Sequence, residues 1–309
     1  MRRHNIPTPD YHVVHNLETA EFYLSKNWNK TKCGYVVKTD LSLSNSYDCT
    51  EIPETLDEAL VSVRRLYKQS DGCKLILEER ISGYELSLHI LVDGENYYVM
   101  PPVQDYKKLL PNNEGPMTHG VAAVAMSMCY PQTLYKNLCS QVIEPTLQGL
   151  LRDGFNYHSV LYIGLMIDKD QPQVLEYNVR AGNPEWISLM GLLNTSLINL
   201  IDDWDGQDIW KDECFSVTSY ALTAGYPQTI RSQYDEQISY INHVNTVNIF
   251  GESIVSRDGK LYPSGGRVFA LQQIGSNFDI IKQDIIGAYN TIRMNGLYYR
   301  DDIYPISFS

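Results

Sequence analysis

The sequence predicts a mixed α/β (α+β) fold, on three observations. Strand and helix patterns alternate over the first 75 residues. Two strongly apolar hairpins follow, with helices after them. Beyond about residue 208 the pattern changes to short strands, frequent turns and one last helix. Three segments result: 1–75, a small α/β unit; 76–208, a larger strand-rich unit; and 209–309, a β-rich C-terminal unit.

The elements follow in chain order. Pro7 and Pro9 keep the entry segment extended, because each disfavours helix in the residue before it. Residues 16–24 read as a short helix capped by Asn16, with Ala20, Tyr23 and Leu24 at helical spacing. Residues 34–38 are a β-rich strand ending on Lys38. Residues 55–67 form an amphipathic helix with Leu56, Leu60, Val63 and Leu66 on one face. Strands at 74–78 and 85–92 come next, the latter turning at Asp93 and Gly94 into 96–100. A long helix is expected over 134–151, a second hairpin over 160–167 and 173–178, and a helix over 185–201. The last helix is expected over 283–295.

Hydrophobic residues make up 43% and charged residues 20%, the balance of an ordinary globular protein. No apolar run approaches the ~20 residues that cross a bilayer. Arg2 and Arg3 lack the apolar stretch of a secretory signal, so the expectation is a cytoplasmic protein with no membrane partner. The net charge of -12, with no basic cluster to offset it, repels a phosphate backbone and argues against nucleic acid. The six cysteines are scattered without a C-x-x-C pair, which suits reduced thiols better than zinc or a disulfide framework.

Four segments carry polar residues where packing would call for apolar ones. Lys38 closes its strand and could meet a phosphate, although a plain exposed strand-end lysine is the better reading of that residue alone. Glu78 and Glu85 flank the turn at Ser82 and Gly83. They could accept hydrogen bonds from an adenine amino group and ribose hydroxyls, and a solvated acidic turn explains them about as well. Asp105, Lys107 and Lys108 suit phosphate neutralisation or an ordinary loop. The fourth segment is the most informative. Glu176 and Asn178, two apart on a strand, face one side together with Arg180. A carboxylate and an amide oxygen there form a hard oxygen site for Mg²⁺ bridging phosphates, and a guanidinium beside them can hold an anion bidentately. A polar edge face in water explains this cluster less well. The turn 182–185 then opens a helix whose N-terminus favours anions.

Taken in order, Ile6-Pro7-Thr8, Val36-Val37-Lys38, Glu78-Glu79, Gly83, Glu85, Ser87, Asp105, Lys107, Glu176, Asn178, Arg180, Gly182, Pro184 and Glu185 resemble the phosphoribosylamine–glycine ligases of the ATP-grasp superfamily. The likeness continues at Gly225-Tyr226-Pro227, residues 264–268 and residues 299–303, and so spans nearly the whole chain. The resemblance implies an ATP-grasp fold, with 1–75 as lid, 76–208 as core and 209–309 as the C-terminal domain of such ligases. ATP would lie between lid and core. It implies that Glu78, Glu79, Ile81 (through its backbone) and Glu85 hold adenine and ribose, that Lys38 and Lys107 meet phosphates, and that Glu176 and Asn178 hold Mg²⁺. Arg180 and Lys107 would be catalytic. Asp105, His119, Arg180, Gly182, Asn183, Glu185 and Arg267 would surround the substrates.

The departures bear on substrate. The family carries a phosphate-binding α/β domain ahead of its Ile-Pro-Thr segment, whereas this sequence starts a few residues before Ile6 and also lacks the family lysine just upstream. The expected remedy is a homodimer or a separate subunit supplying the missing domain. Residues 39–48 replace a glycine- and lysine-rich lid stretch. In the expected substrate loop, residues 113–123, Met117, His119, Val121 and Ala122 replace small or polar residues, and Asn183 stands where aspartate is usual. The leading expectation is therefore an ATP-dependent ligase joining a small carboxylate to a non-standard amine in a specialised pathway. The alternatives are one subunit of a split phosphoribosylamine–glycine ligase in purine synthesis, or a degenerate nucleotide-binding protein without catalysis.

Overall fold

A computed structural model describes residues 1–39, 49–127, 130–202, 209–228 and 235–305. Residues 40–48 of the altered lid stretch, residues 203–208 at the expected domain boundary and Cys129 lie outside the described residues. The chain packs as two compact units. The first holds residues 1–84, 136–146 and 165–175, and the second residues 85–135, 147–164 and 176–309.

The first unit is built on a four-stranded sheet of β1 (Tyr11–Val14), β2 (Tyr35–Thr39), β3 (Thr50–Glu51) and β4 (Leu75–Glu79), in the order β1-β4-β2-β3 with antiparallel pairing throughout. Helices α1 (Leu17–Asn27) and α2 (Leu56–Gln69) bury Ala20, Leu24, Ala59, Val63 and Leu66 against Val37, Leu75 and Leu77. Both helices start where a side chain can satisfy an orphan backbone N–H. Asn16 accepts from the Thr19 N–H at 2.9 Å, and Thr55 from the Glu58 N–H at 3.2 Å.

The larger sheet holds β5 (Tyr84–Asp93), β6 (Asn96–Val99), β7 (Val103–Leu110), β8 (Glu114–Met126), β9 (His158–Asp168), β10 (Gln171–Asn178), β11 (Phe215–Leu222), β12 (Asn248–Gly251) and β15 (Arg267–Gly275). Its order is β10-β9-β5-β7-β8-β11-β15-β12, with β6 paired to β5. A small hairpin, β13 (Ile254–Arg257) and β14 (Lys260–Pro263), stands apart from it. Strands β11 and β15, from the β-rich C-terminal stretch, continue the sheet that contains β8. The expected hairpins form: β5 turns into β6 at Gly94, and β9 turns into β10 with Lys169 and Asp170 both left-handed, as a two-residue hairpin turn requires.

Several expectations need correction. Residues 104–108, for which an ordinary loop is one of two readings, lie in the long strand β7, and the expected substrate loop 113–123 lies almost wholly in the long strand β8. Alanines and lysines are poor strand formers by propensity, but Val121 to Met126 are buried, and small side chains let α5 (Glu185–Leu192) pack closely over them. The helix expected over 185–201 is broken into α5 and α6 (Leu197–Asp202). Its break is sealed by the Asn194 N–H donating to the Ile209 carbonyl at 2.8 Å, while Ser196 Oγ accepts the Asn199 N–H at 3.1 Å. The long helix over 134–151 is helical along its length, as α3 (Gln132–Asn137), a π-helical segment (Leu138–Ile143) and α4 (Glu144–Arg152). The last helix, α7 (Phe278–Thr291), starts five residues early because Asn277 accepts from the Asp279 and Ile280 N–H groups. Cys33, Cys49, Cys73, Cys139 and Cys214 are free thiols. No helix among the described residues is long and apolar enough to cross a membrane.

The turn before β5 depends on Gly83. Its φ is +152°, and a Cβ there would sit 2.3 Å from the Ile167 carbonyl oxygen. Gly83→Ala should therefore destabilise the protein by about 2 kcal/mol or more, read as a fall in the denaturant midpoint.

Candidate active site

In the first unit, the expected nucleotide-binding residues lie on and just after β2 and β4. Lys38 is the penultimate residue of β2, and its Nζ donates to Glu78 Oε1 at 2.6 Å and to the Leu175 carbonyl at 3.3 Å. Glu78 is buried on β4, opposite Val36. Glu79 lies across from Tyr35, and Ile81 is half-buried two residues on. The structure thus joins Lys38 directly to Glu78.

The second unit gathers the remaining candidates around Lys107. This lysine projects from β7 and its side chain is 20% exposed. Its Nζ lies 3.2 Å from Glu176 Oε1, 3.8 Å from Glu85 Oε2 and 4.0 Å from Asp105 Oδ2. Burial works against its charge, but Tyr162, Glu176, Glu85 and Asp105 outweigh it and hold the ammonium well above the usual lysine range. Asp105 moves the other way. Burial first, then Glu185, raise its carboxyl well above the usual range, Lys107 pulls back, and Glu85 and Glu176 push further. Its Oδ1 is buried without a hydrogen-bond partner. Glu185 is also raised, mainly by burial, although its own backbone N–H, Lys107 and Ser87 resist.

Sequence reasoning expected the N-terminus of α5 to welcome an anion. That place is taken by Glu185 itself, whose carboxylate accepts its own N–H and the Ser87 hydroxyl at 3.2 Å. A Cβ at Gly182 would meet Glu185 Cδ at 2.7 Å, so a side chain there would push the Glu185 carboxyl out of its present place.

Arg180 is exposed, with one hydrogen bond at 2.9 Å to the Ala181 carbonyl. Arg267 is more committed. Its Nε donates to Glu252 Oε1 at 2.9 Å, and one terminal nitrogen donates to the carbonyls of His119, Gly120 and Asn183 at 2.8–3.1 Å. The Asn183 amide donates to Glu252 Oε2 at 3.1 Å and accepts from the Tyr220 hydroxyl at 2.7 Å. This network gives a reason for amide rather than carboxylate at 183: an aspartate would face Glu252. His119 is exposed and kept from protonating by partial burial, then by Arg267 and Arg180, against a smaller pull from Glu252. Val121 and Ala122 are fully buried in β8, so they cannot line a substrate loop; Met117 and His119 remain the altered surface positions.

Sequence reasoning missed His89, Tyr162, Tyr220 and Glu252, and gave Ser87 no role beyond the resemblance. The first two sit inside strands that read as core, and Tyr220 and Glu252 are remote in sequence from the cluster they support.

The sequence and the fold find counterparts among known proteins. The family described as phosphoribosylglycinamide synthetase, ATP-grasp (A) domain matches residues 1–186, and the C domain of the same synthetase matches residues 216–304. The chain belongs to the phosphoribosylglycinamide synthetase family. It is 29% identical to the phosphoribosylamine–glycine ligase of Caldanaerobacter subterraneus subsp. tengcongensis, across 98% of this chain and 73% of that one. It is 30% identical to the Pasteurella multocida ligase, across 98% and 71%. The crystal structure of the Thermotoga maritima ligase superposes with a TM-score of 0.82 at 26% identity, covering 98% of this chain and 76% of that one. An L-amino acid ligase from Bacillus licheniformis shares the fold, with a TM-score of 0.63 at 13% identity over 97% and 70%. Within the synthetase family, this chain is an ATP-grasp ligase of the kind that forms a C–N bond. A biotin carboxylase domain from Hydrogenobacter thermophilus that shares the fold, with a TM-score of 0.65 at 13% identity over 96% of this chain and 65% of that one, holds MgADP.

The residues present fit that metal. Glu176 and Asn178 offer oxygens from one face of β10, and the Glu176 side chain is 48% exposed. Among the described residues no group of three or more His, Cys, Asp or Glu could hold a metal by itself, so a hard cation here would share its coordination with phosphate oxygens.

Two outcomes follow from the charges. The unfolded chain ionises Asp105 near 3.8, while the folded chain keeps the proton to higher pH, so this group makes the fold less stable as pH rises through that interval. Asp105→Asn should raise the melting temperature at pH 7–8 and lose that advantage as pH falls toward 4, even as activity drops. Asn183→Asp should destabilise by about 1 kcal/mol through carboxylate repulsion, and adding Glu252→Gln should recover most of it in a double-mutant cycle.

Proposed function

We propose that this chain uses MgATP to activate a small carboxylic acid, with glycine the first candidate, as an acyl phosphate, and passes the acyl group to an amine of the phosphoribosylamine class. The carrying observation is Lys107, a persistently charged ammonium held by Glu176, Glu85 and Asp105 beside the oxygen-bearing face of β10. The names of the curated relatives support glycine and phosphoribosylamine over the specialised-pathway reading.

In this reading the acid's carboxylate oxygen attacks the γ-phosphorus and ADP leaves. The amine nitrogen then attacks the acyl carbon and phosphate leaves. Lys107 offsets charge on the transferring phosphoryl, and Arg180, whose guanidinium is exposed, steadies the acyl phosphate. Glu176 and Asn178 would hold Mg²⁺, which would supply further charge neutralisation on the phosphates. Lys38 meets a phosphate, while Glu78, Glu79, Ile81 and Glu85 receive adenine and ribose. Asp105, His119, Gly182, Asn183, Glu185 and Arg267 shape the substrate side. Asp105 suits recognition of an ammonium group, because a buried carboxyl oxygen without a partner gains most from a new donor.

A second reading, in which the amine differs from phosphoribosylamine, is favoured by Met117 and by the uncharged His119 imidazole near Arg180 and Arg267. ADP release with MgATP, screened across glycine and other small acids with hydroxylamine as acyl trap, separates the two from a non-catalytic protein. Glycine-dependent ADP with trapped hydroxamate supports the proposal, a different acid supports the second reading, and no ADP with any acid overturns both. Repeating the assay over protein concentration, and with a separate phosphate-binding α/β polypeptide, reads the homodimer and separate-subunit arrangements. Glu176→Gln should cut ADP release roughly 100-fold or more, since a metal contributes several kcal/mol to such a transition state; full activity would remove Glu176 from the metal site.

A further inference from the structure

His89 occupies the middle of β5, flanked by Leu88 and Ile90, and is fully buried. Neither the proposed chemistry nor the sequence pattern accounts for a titratable ring there. Its Nε2 accepts the Gly182 N–H at 3.0 Å. The Gly182 carbonyl in turn accepts the Trp186 N–H at 3.1 Å, closing the first turn of α5. Gly182 is thus fixed through both backbone groups, between Arg180 and Glu185.

The ring is also fixed laterally. Tyr162 from β9 meets it edge-on, with centroids 5.1 Å apart and planes at 75°, and Trp186 lies 6.2 Å away. The Tyr162 hydroxyl lies 3.1 Å from Ser87 Oγ, which donates to Glu185 Oε1. The imidazole therefore reaches the 180–185 run twice, once through Gly182 and once through Tyr162, Ser87 and Glu185. We propose that His89 is a positioning residue for the ligase site: by holding the Gly182 N–H through Nε2, it sets the turn that orients Arg180 and Glu185.

The bland alternative is a core histidine that only fills space. The hydrogen bonds distinguish the two. A ring that accepts at Nε2 carries its proton on Nδ1, and Nδ1 is buried without a partner. A space-filling leucine would spare the fold that unsatisfied donor, so the acceptor at Nε2 is the property that distinguishes histidine here. Protonation would set an N–H against the Gly182 N–H. Burial first, and Arg180 second, push the ring down to about 3 and prevent this. The groups packed around it are Tyr162 from β9, Trp186 from α5 and Gly182 from the turn, with Arg180 the charge that acts on it.

The inference rests on the ligase reading for its kinetic half only. That half compares His89→Gln, whose amide oxygen can still accept the Gly182 N–H, with His89→Leu, which cannot. Leucine should lower kcat for ADP release roughly 10- to 100-fold with the KM for ATP within about threefold, as misplacement of a reacting group does. Glutamine should restore activity to within about fivefold of the parent. Equal activity of the two variants, at either level, overturns the proposal. The other half needs no turnover: long-range ¹H–¹⁵N spectra of ¹⁵N-histidine-labelled protein, with His89 assigned by its loss in the glutamine variant. The expected result is an unprotonated Nε2 that does not titrate between pH 5 and 8. An Nε2–H tautomer, or titration near pH 6.5, overturns the proposal even if the leucine variant fails to fold. A parent protein that releases no ADP would sink the ligase reading, while the tautomer would still decide His89.

Discussion

The second unit depends on one ammonium. Lys107 faces Glu176, Glu85 and Asp105 within 4.0 Å, with buried Glu185 adding its field to Asp105. At that separation, with an effective dielectric near 20, each charge pair is worth about 4 kcal/mol before desolvation, a penalty of comparable size. The balance is therefore sensitive to burial. Lys107, with several acids around it, stays charged; Asp105, more deeply buried, is driven toward its protonated form. A cluster so arranged has a fixed cation and an adjustable carboxyl, which suits a site that must receive both a phosphate and an amine.

Around this cluster, the 180–185 run is held from three directions. His89 on β5 takes the Gly182 N–H, Arg267 on β15 takes the Asn183 carbonyl, and Tyr220 and Glu252 hold the Asn183 side chain. Two of these supports come from strands β11 and β15, which follow β8 in that order in the large sheet. The C-terminal stretch is thus part of the site's scaffold. Rigid supports of this kind reduce the ordering needed when a substrate arrives.

Much of this was legible in the sequence wherever the signal was local. Asn16 and Thr55 marked helix starts, Gly94 and the 168–172 turn marked hairpins, and the two-residue spacing of Glu176 and Asn178 marked a shared face. Legibility failed where tertiary packing overrode propensity. The alanines of β8 look like a loop until α5 is seen to lie over them, and Lys107 and Lys108 look solvated until their strand is placed. Asn194 to Ser196 broke a helix that apolar spacing alone would have continued. His89 and Tyr162 were hidden because a polar residue inside an apolar strand reveals its role only through its partner. Glu252 and Tyr220 were hidden by distance along the chain.

The first unit repeats the logic of the second with fewer groups. Lys38 is held by Glu78 at 2.6 Å, and Glu78 is 6% exposed, so the pair is joined in a poorly solvated place. In the proposed function both lysines turn to phosphates. A buried lysine without an acid would tend to give up its proton, and would then have to regain it before meeting an anion. A lysine already paired has only to exchange one anionic partner for another, and the carboxylate it releases becomes free to accept hydrogen bonds from the nucleoside. Pairing each phosphate-directed lysine with an acid meant for another part of the ligand gives both groups a partner without the nucleotide, which is how an acidic protein can hold a site for a polyanion.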